Sequence, residues 1–68
     1  MAYPNLRAEM ARLGISAEKL AKALGIHVTT LHSKLRGEYE FSLSMAKQIK
    51  KILCYDGTVE ELFKRADE

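Results

Sequence analysis

The side chains of this 68-residue chain that could do chemistry are few and scattered. His27 and His32 stand five positions apart, so they do not share a helix face, and no Cys, Asp or Glu cluster joins them. No metal site is read there. Cys54 is the single cysteine, so it closes no internal disulfide and builds no structural zinc site alone. No histidine or base neighbours it, and its place at an apolar helix end predicts buried packing rather than a nucleophile. Glu60 and Glu61 are adjacent and point different ways on a helix, which suits capping and solvent contact. There is no glycine-rich phosphate loop and no supported Ser/His/Asp set. The expectation is no enzyme, no cofactor, no metal and no small-molecule ligand.

What remains is binding chemistry, and it gathers in one short stretch. Leu31 and Leu35 mark the inner face of a helix, and around them lie Val28, Thr29, His32, Ser33 and Lys34. A face that needs only solubility is better served by Glu and Lys, which also have higher helix propensity. Short donors and acceptors beside a threonine methyl suit contact with base edges in a DNA major groove. The plain alternative for Thr29, Thr30, His32 and Ser33 is a solvated face, with Thr30 half-buried against the preceding helix. Lys34 and Arg36 close the stretch, where they compensate a helix dipole or flank the groove as phosphate contacts.

The elements that must position this face are legible from caps and periodicity. Ser16 is an N-cap residue, Glu18 suits the first turn, and Leu20, Ala21 and Leu24 form one apolar face. Gly25 stops that helix in a left-handed conformation, Ile26 packs in the turn, and Gly37 ends the next helix as Gly25 ended the first. Upstream, Pro4 and Asn5 start a helix with Leu6, Met10 and Leu13 inward and Arg7, Glu9 and Arg12 off that face, closed by Gly14. Tyr3 packs over its start. Downstream, Phe41 reads as a plug between the third and fourth helices, and Ser42 caps the fourth. Its stripe is Leu43, Ala46, Ile49, Ile52 and Leu53, with Met45 at the edge and Lys47, Gln48, Lys50 and Lys51 outside. Asp56-Gly57 is a turn, and Thr58 with Glu61 is a capping box that starts a last helix with Val59, Leu62 and Phe63 inward. Residues 64–68 read as a frayed, charged tail. The prediction is an all-α, five-helix single domain over residues 1–68, with helices at about 5–13, 17–24, 28–36, 43–54 and 59–64.

Composition sets wider bounds. An apolar fraction of 47% is that of a globular chain, and the length supports one small core. No apolar run approaches the roughly 20 residues that span a membrane, and the start of the chain lacks the apolar core of a signal peptide. A cytoplasmic location is expected. The net charge is +2 but uneven: residues 1–37 carry six basic and two acidic side chains, and residues 38–68 carry five and seven. The basic half holds the candidate reading helix, the polarity of a nucleic-acid binder.

The register of Ile15, Ser16, Leu20, Ala21, Leu24, Gly25, Ile26, Thr30, Leu31, Leu35 and Gly37 resembles the helix-turn-helix of the lambda-repressor and Cro family, also called the XRE family. The resemblance runs, more weakly, from about Asn5 to Phe63, and Ala21 matches the small residue required where the two helices cross. It implies a compact lambda-repressor-like domain that binds double-stranded DNA at a near-palindromic operator as a homodimer, at least on DNA. It also implies a small regulator, a Cro-like repressor of phage or prophage type. The base-contacting positions would be Val28, Thr29, His32 and Ser33. Phosphates would be met at Ser16 and Ala17, at His27, at Lys34 and Arg36, and at Tyr39. Leu62 or Phe63 would sit at the dimer interface or, alternatively, in the monomer core.

Three departures from the family pattern stand out. Where many relatives have glutamine this chain has Ala17, and where some bury an ion pair it has Met10 and Leu35, which predicts an apolar contact instead. The loop after Gly37, basic in many relatives, carries Glu38 and Glu40, whose charge opposes phosphate. The acidic loop, the missing glutamine at position 17 and the low net charge support an alternative: a protein-interaction module of the same fold, an antirepressor or antitoxin-like partner with little intrinsic DNA binding.

Overall fold

Local capping chemistry sets where each helix begins. The computed structural model describes residues 2–66. Its elements are α1 (Pro4–Leu13), α2 (Ala17–Leu24), α3 (Val28–Leu35), α4 (Leu43–Ile52) and α5 (Val59–Leu62), with no strand among the described residues. Ser16 Oγ accepts from the Lys19 amide at 3.1 Å, and Ser42 Oγ from the Met45 amide at 3.1 Å. α1 has Tyr3 at its N-cap without a side-chain bond and Pro4 in its first turn. Asn5 caps nothing; its amide donates across the molecule to the Glu61 carbonyl at 2.7 Å. At α5 the Glu61 amide donates to Thr58 Oγ1 at 3.0 Å, but the Glu61 carboxylate accepts from the Thr58 hydroxyl at 3.3 Å rather than from its amide.

Three helices end earlier than the pattern suggests. α3 stops at Leu35 rather than 36, because Gly37 takes φ 87° and the Gly37 and Glu38 amides return to the Lys34 and Ser33 carbonyls at 3.0 and 3.1 Å. α4 stops at Ile52 rather than 54. Cys54 adopts φ 52°, and the Cys54 and Tyr55 amides bond back to the Lys51 and Lys50 carbonyls. That left-handed turn leaves Cys54 exposed, contrary to the buried packing its apolar neighbours suggest. α5 stops at Leu62 rather than 64, with Phe63 as its C-cap.

α2 packs on α3 and α4, and α5 packs on α1 and α4. Leu6, Leu20, Leu31, Ile49, Leu53 and Leu62 are wholly enclosed, and Met10 and Leu35 join the same cluster without an ion pair. Two predicted core leucines lie outside. Leu13, 40% exposed, is the last residue of α1, and Ile15 takes its place by folding back with an amide bond to the Met10 carbonyl. Leu43, 63% exposed, is the first residue of α4 and overhangs the stripe below it.

The two ends of the described residues are held together. Ala2 and Tyr3 are buried, and the Ala66 amide donates to the Ala2 carbonyl at 3.1 Å. Phe41, in the link between α3 and α4, also packs edge-on to Tyr3 and Phe63, with ring centroids at 5.4 and 5.0 Å. Arg65 donates to the Tyr3 hydroxyl at 3.3 Å and to the Gly37 carbonyl at 3.4 Å. The predicted frayed tail is therefore anchored as far as Ala66; residues 67 and 68 lie outside the described residues.

Candidate nucleic-acid interface

The turn between α2 and α3 determines how α3 is presented. Gly25 sits at φ 72°, its amide bonds to the Lys22 carbonyl at 3.2 Å, and the Ile26 amide bonds to the Ala21 carbonyl at 3.0 Å. This double return turns the chain within three residues, a geometry that only glycine adopts without strain. Ile26 then anchors the turn in the core, and His27 in extended conformation opens α3. Leu20, Ala21, Leu31 and Leu35 seat the two helices on the core.

With Leu31 and Leu35 buried, the outer face of α3 is decided by the helical repeat. Thr29, His32, Ser33 and Arg36 follow at steps of three, one and three, and fall on one side. Thr29, His32 and Arg36 are exposed and Ser33 is half-buried. The structure thus gathers three of the four expected base-reading residues. Val28 is half-buried against the core, one turn ahead of Leu31, and offers only its outer edge. Thr30, expected half-buried, is exposed.

The expected phosphate contacts divide by their surroundings. Ser16 is exposed, but its hydroxyl already accepts the Lys19 amide; Ala17 is half-buried against the core. His27 is exposed and caps α3 by position alone, with no side-chain bond to the first turn. Tyr39, 65% exposed, stands clear in the loop. The two cations at the end of α3 have internal partners that residue types alone do not reveal. Arg36 Nε lies 2.6 Å from Glu38 Oε2, and a terminal guanidinium nitrogen donates to Ser33 Oγ at 3.3 Å. Lys34 Nζ donates to the Glu40 carbonyl at 3.0 Å and lies 5.9 Å from the Phe41 ring. The one sequence signal for the first pairing was Arg36-Gly37-Glu38, since a left-handed glycine folds the following residue back on the helix end.

Leu62 and Phe63 stand apart from this face. Leu62 is fully enclosed, so it has no surface for a second copy. Phe63 is half-buried in the aromatic group with Tyr3 and Phe41. Beside it runs a shallow groove between the start of α4 and α5, with Leu43, Val59 and Phe63 in its wall and Glu40, Glu60 and Lys64 among its charged residues. No helix among the described residues is long and apolar enough to cross a membrane.

A family model described as helix-turn-helix matches residues 6–53, which reach from α1 to the end of α4. No curated protein and no solved structure matches the chain.

Proposed function

From the premise that the chain belongs to the lambda-repressor and Cro-like helix-turn-helix family, a family of DNA-binding regulators, we propose that it recognises a specific duplex sequence and represses transcription from it. The observation that carries this reading is the outer face of α3. Thr29, His32 and Ser33 are held on one side of a helix whose other side is sealed by Leu31 and Leu35. Hydroxyls and an imidazole can hydrogen-bond base edges, and the Thr29 methyl can touch a thymine methyl. Phosphates would be met at His27 and the α3 N-terminus, at Ser16 beside Ala17, and at Tyr39. Lys34 and Arg36 would add contacts only if their internal partners give way.

A homodimer would place two α3 helices in successive major grooves about 34 Å apart on a near-palindromic operator, blocking RNA polymerase there. With Leu62 enclosed, a second copy would meet Leu43 with the outer edges of Val59 and Phe63. This mode of action places the protein in the cytoplasm, where the DNA is.

The test is an anisotropy titration against the intergenic DNA beside the protein's own gene, at two salt concentrations and with competitor DNA. The expected result is saturable binding that weakens steeply with salt and survives competitor. No binding by protein that is folded by circular dichroism would overturn the reading. It would favour the protein-interaction module, which the occupied cations and the acidic loop support.

A further inference from the structure

We propose that the loop after α3 is an internal counter-ligand: Glu38 neutralises Arg36, and phosphate must displace it, so that nonspecific affinity is held down and discrimination is left to Thr29, His32 and Ser33. The proposal rests on the DNA-binding reading above.

The loop's geometry supplies the argument. Gly37 at φ 87° and the Glu38 amide bond to the Ser33 carbonyl dock Glu38 on the end of α3. From there its carboxylate meets Arg36 at 2.6 Å, and both side chains are 54% exposed. The Arg36 guanidinium is thus shared between Glu38 and the Ser33 hydroxyl, on the edge of the face that would read bases. An exposed pair exchanges readily with solvent ions, so a phosphate oxygen can compete for the same guanidinium. Lys34 is held differently. Its partners are the Glu40 carbonyl and the ring of Phe41, and Phe41 is itself packed against Tyr3 and Phe63. Arg36 is therefore the releasable cation and Lys34 the fixed one. Every phosphate contact raises affinity for any sequence, so masking one lowers nonspecific affinity by the worth of that contact and leaves discrimination to the base-reading face.

The experiment compares wild type, Glu38→Gln, Arg36→Gln and the double variant, each titrated against random and operator duplexes across a salt series. Glu38→Gln is expected to steepen the salt slope by about one contact, so that a fourfold rise in salt costs about three- to fourfold more affinity than in wild type. Binding to random duplex and to operator should rise by about the same factor. Arg36→Gln alone should change the slope little, and in the Glu38→Gln background it should cancel the gain. An equal gain from Glu38→Gln in the Arg36→Gln background would overturn the proposal, because Glu38 would then act by general repulsion. An unchanged slope would overturn it too. Absence of duplex binding by any folded variant would instead overturn the DNA-binding reading, and this proposal with it.

Discussion

At the scale of residues, the proposed specificity rests on few atoms. Thr29 and Ser33 each offer one hydroxyl, and Thr29 adds a methyl. A specific base contact is worth about 1–3 kcal/mol of discrimination. The combined change Thr29→Ala with Ser33→Ala should flatten the preference for operator over random duplex while leaving the salt slope unchanged, as competition titrations would show. Undiminished operator preference would mean that the reading face lies elsewhere. Ser33 has the more constrained part, because Arg36 donates to its hydroxyl and leaves that oxygen fewer free positions for a base. Residue types showed which side chains could read DNA. They did not show which cations were already engaged, because the partners of Arg36 and Lys34 lie beyond a left-handed turn whose path depends on tertiary contacts.

At the scale of elements, the helix-turn-helix depends on one cap and one turn. Ser16 satisfies an amide in the first turn of α2, and Ser16→Ala should cost about 1 kcal/mol in urea denaturation. Gly25 is a purely conformational requirement. A Cβ there would meet nothing within 4 Å, so Gly25→Ala is opposed only by its φ of 72°, at about 1–2 kcal/mol in the same assay. Gly37 combines φ 87° with a crowded site, where a Cβ would lie 3.0 Å from the Ala2 Cβ and press on the Arg65 guanidinium. Gly37→Ala should therefore be the costlier of the two. The order and caps of α2 and α3 were legible in the sequence because caps and glycine turns are local. The early ends of α3, α4 and α5 were less legible, since a helix end moves by a turn when one residue such as Cys54 turns left-handed.

At the scale of the whole molecule, α5 and the first residues act as one closure. Tyr3, Phe41 and Phe63 come from three separate parts of the chain and meet edge-on within 5.0–5.9 Å. Leu62 beside it is enclosed, while Leu43 is left exposed. Leu43→Glu tests whether a second copy uses it. The side chain is exposed and begins α4, where a negative charge suits the helix dipole, so the fold should hold. Affinity for a two-half-site operator should fall toward that for a single half-site, and sedimentation of the DNA complex should show one protomer. Unaltered two-site binding would place the contact between copies on another surface.

The sequence by itself determined the five-helix order, the Ser16, Ser42 and Thr58 caps, the Gly25 turn and the polar face of α3. Each follows from interactions within about four residues, which capping chemistry and periodicity express directly. Only the tertiary structure decided that Leu13, Leu43 and Cys54 lie outside the core and that Leu62 lies within it. It also decided that Phe41 closes against both ends of the described residues, and that Arg36 and Lys34 are met by their own loop. Those outcomes depend on which distant segments reach one another. A side chain's burial and a cation's partner are set by that return of the chain rather than by its neighbours in sequence.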